Sequence, residues 1–163
     1  MNDSQNLPAI LKKVDSLDKL ETFLKKKKKS NKDHSNYDIL FRQFIKNDVD
    51  DKQLEHILEM FLPKLDVNFQ NINSGNTTPM MYLVSEGLNS LCLQLIKKKG
   101  ENIDLTIKDN DGENIFFKII NSSNDKGKVS LFKQALTLLK EDREEDEKKE
   151  TLEAINSSGK SLI

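Results

Sequence analysis

Between Leu65 and Ile120 the chain passes twice through one cycle: a polar loop reaching a glycine, a short helix-forming stretch, a turn, and a second helix. Gly75 stands before Thr78-Pro79-Met80-Met81, and Gly112 before Asn114-Ile115-Phe116-Phe117. The second helices share an apolar stripe. Leu54, Ile57, Leu58, Phe61 and Leu62 fall at i, i+3, i+4, i+7 and i+8, and Leu88, Leu91, Cys92, Leu95 and Ile96 repeat that spacing residue for residue. This spacing lays one apolar face along an α-helix. Matching helices separated by turn-rich segments point to an all-α array in which each unit buries its face against its neighbours.

The composition fits such an array. Of the 163 residues, 36% are hydrophobic and 33% charged, lean for a globule but suited to a stack that buries one stripe per unit. The 26 basic and 27 acidic residues leave a net charge of −1. That argues against nucleic acid as a partner for the whole domain, though a local patch can still act. A single cysteine excludes an intramolecular disulfide and fits a reducing compartment. No apolar run approaches the roughly 18 residues of a membrane helix, and no charged-then-apolar signal segment opens the chain. The expectation is an intracellular protein, cytoplasmic or nuclear, with no membrane partner.

In chain order, residues 1–32 read as an N-terminal capping helix pair with a basic tail. Ile10, Leu11 and Val14 line its first helix, and Leu17, Leu20, Phe23 and Leu24 its second. The run Lys25 to Lys29, with Lys32, reads most simply as solvated lysines at a helix C-terminus. The sharper reading is a nuclear-import or polyanion-binding segment. Residues 33–155 hold three cycles. The first opens at Asp33, with His34 in a loop and Asn36 standing in for glycine, since Asn tolerates a left-handed backbone. Leu40, Phe41, Phe44 and Ile45 then give its first helix a buried face, and Pro63 falls past the end of its second helix. In the second cycle Lys97-Lys98-Lys99 and a helix-stopping Gly100 end the second helix. In the third, Val129, Phe132, Ala135, Leu136 and Leu139 carry that helix after a longer loop from Asn121 to Lys128. Glu144/Lys148 and Glu145/Lys149 are in helix-supporting order, so 141–150 is expected to be partly helical. Residues 156–163 read as the start of a further cycle, with Gly159 where Gly112 stood, as if cut from a longer array.

These motifs resemble the ankyrin repeat. Asp109-x-x-Gly112, Thr78-Pro79 and the helix pairs joined by polar connectors match that family's pattern, and the stretch from Ile10 to Lys27 resembles its opening helix pair. Leu40, Met80, Phe116 and Ile163 are spaced by 40, 36 and 47 residues, against about 33 in the family. The Thr-Pro pair survives once, and Phe41, Met81 and Phe117 stand where the family has histidine. The resemblance implies an ankyrin-like solenoid in which, with the loop-tying histidine lost, apolar packing carries more of the stacking. The spacings also admit a HEAT- or armadillo-like array.

No catalytic constellation emerges, so the chain reads as a non-enzyme without cofactor or metal. His34, His56 and Cys92 do not form a ligand set, and Cys92 lies on an apolar stripe. Asp104, Asp109, Asn110 and Asp111 lack the twelve-position loop and terminal glutamate of a calcium site. The resemblance implies a protein-protein interaction scaffold that binds through loop tips and the first-helix face. Carried over by position, that face is His34, Ser35, Tyr37, Arg42 and Lys46, then Thr77, Tyr82, Ser85 and Glu86, then Asn110, Asp111, Glu113, Asn121 and Ser122. Tyr37 and Tyr82 would be its anchors. The competing readings are the lysine segment acting as an import or polyanion site, and a structural spacer without a ligand.

Overall fold

The computed structural model describes residues 15–26, 34–46, 50–141 and 145–158. Helices dominate them. No strand occurs among them, and an isolated antiparallel bridge joins Asn71 to Thr77. None of their helices is long and apolar enough to cross a membrane. The chain divides into two compact units, Met1–Phe69 and Gln70–Ile163. The expected first helix of the N-terminal pair and the lysines from Lys27 to Lys32 lie outside the described residues.

The first unit holds α1 (Leu17–Lys26), α2 (His34–Lys46) and α3 (Asp51–Phe61). Both α1 and α2 pack on α3. Leu20 and Leu24 are the buried side of α1, while Lys25 and Lys26 at its end are exposed. Leu54, Ile57, Leu58 and Phe61 are buried along α3, as their spacing requires, and Phe61 meets Phe41 edge-on at 5.4 Å. Asp50 starts α3 with a capping box: its carboxylate accepts from Gln53 N at 2.8 Å while Gln53 Oε1 accepts from Asp50 N at 3.1 Å.

Helix α2 begins earlier than expected. His34, Ser35 and Asn36 are helical, so Asn36 is no loop surrogate for glycine. The reason is the stripe itself: Tyr37, Leu40, Phe41, Phe44 and Ile45 sit at helical spacing, and all are buried. The stripe extends one turn further back than the repeat template allows.

The second unit holds α4 (Pro79–Ser85), α5 (Asn89–Lys99), α6 (Ile115–Asn121), α7 (Lys128–Glu141) and α8 (Glu145–Ser158). Helix α4 packs against α5 and α6, and α7 against α6 and α5. First helix thus lies on first helix and second on second. Leu91, Cys92 and Leu95 of α5 and Leu131, Ala135 and Leu139 of α7 are buried, and Phe116 meets Phe132 edge-on at 5.6 Å.

Helix α5 ends at Lys99 with Gly100 as its C-cap, as expected, and one further expectation is corrected here. Gly100 is right-handed (φ −51°) and leads α5 into a 3-10 turn, Gly100–Asn102. Its lack of a side chain serves packing, because a Cβ there would stand 3.0 Å from Leu138 Cδ2. Residues 156–158 continue α8 and do not open a new loop. That helix supplies the expected helical character of the acidic run, and Thr151 is buried on it.

Candidate functional site

The loops that precede α4 and α6 share one construction. Asp66 Oδ1 accepts from Asn68 N at 3.0 Å, and Asp104 Oδ1 accepts from Thr106 N at 2.9 Å. The flanking pairs, Leu65 with Val67 and Ile103 with Leu105, are buried. A second side-chain turn follows: Asn71 Oδ1 accepts from Asn73 N at 3.0 Å, and Asp109 Oδ1 from Asp111 N at 2.9 Å. The tips differ in length. Asn71 N reaches Thr77 O at 3.1 Å, whereas Asp109 N reaches Glu113 O at 3.0 Å, so the first tip is two residues longer. It turns through Gly75 and Asn76, both left-handed, and the second through Gly112 at φ +75°. Each loop ends on a cap. Thr78 Oγ1 accepts from Met81 N at 3.3 Å ahead of Pro79, and Asn114 Oδ1 accepts from Phe116 N at 3.0 Å.

Hydrogen bonds tie the two tips to each other. Asn110 N donates to Gly75 O at 2.9 Å, and Asn76 Nδ2 to Asn110 Oδ1 at 2.6 Å. Gln70 Nε2 donates both to Asn76 O at 3.0 Å and to Lys108 O at 2.8 Å. At the other end of the helices, Asn124 Nδ2 donates to Gly87 O at 2.6 Å, and Asn89 Nδ2 to Asn124 O at 2.9 Å and Lys126 O at 3.0 Å. Polar ties between the loops therefore stand beside the apolar packing between the helices. Amides of Asn and Gln side chains make those ties.

The result is a row of exposed groups on a tied support: Ile72, Asn73, Ser74 and Gly75 from one tip, Asn110, Asp111 and Gly112 from the other. Ile72 is 78% exposed. Of the residues expected to bind, Asn110 and Asp111 belong to this row, with Thr77 and Glu113 half-buried at its base. Ser85, Glu86 and Asn121 are exposed and Ser122 half-buried, at the opposite ends of α4 and α6. Ser35 is exposed and His34 half-buried at the start of α2, and the side chain of Lys46 lies outside the description.

Tyr37, Arg42 and Tyr82 are corrected. Tyr37 is 2% exposed and Tyr82 8%, so neither is a surface anchor. Arg42 is buried, with Nε 3.0 Å from Asp38 Oδ2 one helical turn away, and Asp38 is fully enclosed. All three were placed outward because the repeat template puts first-helix residues on an open face. Here Pro79 to Val84 are all buried on α4, and on α2 Tyr37 and Arg42 share the buried side with Asp38 and Phe41. The residues missed were Gln70, Ile72 and Asn76. A lone aliphatic residue within the polar stretch Gln70–Asn76 was the legible signal for Ile72.

A charged cluster braces the second tip. Lys118 Nζ on α6 lies 2.6 Å from Asp109 Oδ2 and 2.9 Å from Glu113 Oε2. Burial alone would push the Asp109 carboxyl up. Hydrogen bonds from Lys118 and from the Glu113 and Asp111 amides, with the lysine's charge, outweigh it and hold the group below the ordinary carboxylate value. Burial likewise pulls Lys118 down, and its bonds to the two carboxylates hold it above the ordinary lysine value. The cluster is consumed internally and offers no reactive group.

Cys92 is fully enclosed, its Sγ 3.7 Å from Met80 O, and burial pushes its thiol far up, which removes it as a nucleophile. Among the described residues no group of His, Cys, Asp and Glu is arranged to hold a metal ion. Comparison of the chain with protein-family models, curated proteins and solved structures returns no match.

Proposed function

We propose that this chain is a protein-binding module of degenerate ankyrin-like repeats, not an enzyme, and that it engages its partner through the row of tied loop tips. The observation that carries this reading is the ladder from Gln70 and Asn76 to Lys108 and Asn110. It holds the backbone of both tips while leaving Ile72, Asn73, Asn110 and Asp111 open to solvent. A surface already ordered before encounter loses less conformational freedom on binding. The recurring loop, cap and helix pair from Leu65 to Glu141 supports the repeat reading. The inward turn of both tyrosines narrows the binding face to the tips.

The test replaces Ile72 with Asp and Asp111 with Lys together and uses the full chain as bait for affinity capture from a lysate. The expected outcome is that partners held by the wild type are lost by more than about tenfold, which corresponds to about 1.4 kcal/mol, with an unchanged melting curve. Partners retained in full by the double variant would place the interface elsewhere. Capture of nothing by either protein would favour a spacer.

A further inference from the structure

A second surface in the same unit has a different chemistry. Helices α6 and α7 flank a groove of about 330 Å³ lined by Ile119, Ile120, Val129 and Phe132, with Lys128 and Lys133 at its rim. Ile119 forms a buried floor, Ile120 and Phe132 are half-buried, and Val129 is 66% exposed. Exposing a branched aliphatic residue beside a half-buried ring and isoleucine makes a contiguous apolar strip, which differs from apolar residues scattered singly.

The charged side chains that line the strip are both lysines. From Lys126 to Lys140 the sequence holds four lysines and no carboxylate. Asp125 is the nearby acid; it lies 3.6 Å from Lys128 Nζ, which also donates to Ser122 O at 2.9 Å. Lys128 is thus partly neutralised, and Lys133 is the more available charge. This pattern decides between occupants. A second copy meeting the groove about a twofold axis would oppose the same lysines to themselves. An amphipathic helix with acidic flanks would cover the aliphatic strip and neutralise the rim.

We propose that the α6–α7 groove docks an acidic amphipathic helix of a partner protein, with apolar side chains on Ile120, Val129 and Phe132 and carboxylates on Lys133 and Lys128. This docking does not depend on the loop-tip row. The probe is a fluorescein-labelled helical peptide with leucines at i, i+3, i+4 and i+7 and glutamates elsewhere, titrated against the full chain by fluorescence anisotropy. A lysine counterpart and a scrambled glutamate peptide are the controls. The glutamate helix is expected to bind saturably and more weakly as salt rises, with a loss of about tenfold or more in Val129→Asp and in Lys133→Glu. Both positions are exposed, so both variants should melt as the wild type does. The Ile72→Asp/Asp111→Lys variant should bind the peptide normally, which separates failure here from failure of the tip surface. The proposal is overturned by absence of saturable binding, by equal binding of the control peptides, or by indifference to both groove substitutions. Sedimentation showing wild-type dimers that Val129→Asp dissolves would overturn it in favour of a second copy.

Discussion

Tyr37 shows how much a single side chain decides. A tyrosine in a first helix of a repeat reads as an interface anchor when that helix has an open face, and as a core residue when it has none. At 2% exposure Tyr37 belongs to the core, with Leu95, which is fully enclosed in the other unit. Truncating either to Ala should destabilise the unit that holds it, by about 3–5 kcal/mol for Tyr37 and about 2–5 kcal/mol for Leu95, by analogy with other large buried side chains. Urea unfolding checks both; a loss under about 0.5 kcal/mol would mean an exposed position. Asp109 makes a pH-dependent prediction. Its carboxylate accepts from Lys118 and from the Asp111 and Glu113 amides. Asp109→Asn should therefore cost about 1.5–3 kcal/mol at neutral pH. Its folded pKa lies below the ordinary value, so the stabilisation is complete above the unfolded pKa of about 4 and is lost as pH falls through the folded one. The gap between variant and wild type should close as the solution is acidified, as followed by unfolding across pH. Lys118, raised above its ordinary value by the same two carboxylates, contributes while they are ionised, and that contribution fades again as pH rises past about 10.

At the scale of the element, the helices were readable and the loops only partly so. Apolar spacing identified α3 and α5 because a buried stripe leaves a periodic trace in one dimension. On α7 it holds at Ala135 and Leu139, but Leu131 is buried where Val129 was expected, and Val129 is exposed. The start of α2 and the end of α8 were misplaced for a common reason. At Asn36 and at residues 156–158 the helix runs on where the repeat template has a loop. The capping box at Asp50 and Gln53 was legible and unread. The ties among Gln70, Asn76, Lys108 and Asn110 were not legible, since they join residues 34 and 38 apart in sequence. Gly112 was readable from its motif, and its positive φ follows. No atom lies within 4 Å of a Cβ built there, so backbone conformation alone sets the cost of substitution. Gly112→Val should then be less stable than Gly112→Asn by about 1–2 kcal/mol, because Asn tolerates the left-handed region. Thermal melts that place the two variants together would remove the conformational argument.

At the scale of the whole molecule, each unit is organised around second helices that carry the stripe, and the second unit repeats its loop, cap and helix pair. The sequence made the repetition visible but not the surface it produces. Which side of a first helix is open depends on neighbours that no short spacing encodes, and so the proposed binding face lies at the tips. The consecutive cycles of the second unit stack with their tips tied in one register. Native-state hydrogen exchange of the Asn110 amide tests it most directly, because that exposed residue donates to Gly75 O across the two loops. The amide should be strongly protected in the wild type, and Gln70→Ala with Asn76→Ala should speed its exchange while amides in the middle of α5 stay slow. Exchange of Asn110 at the rate of an unstructured loop in the wild type would contradict the account.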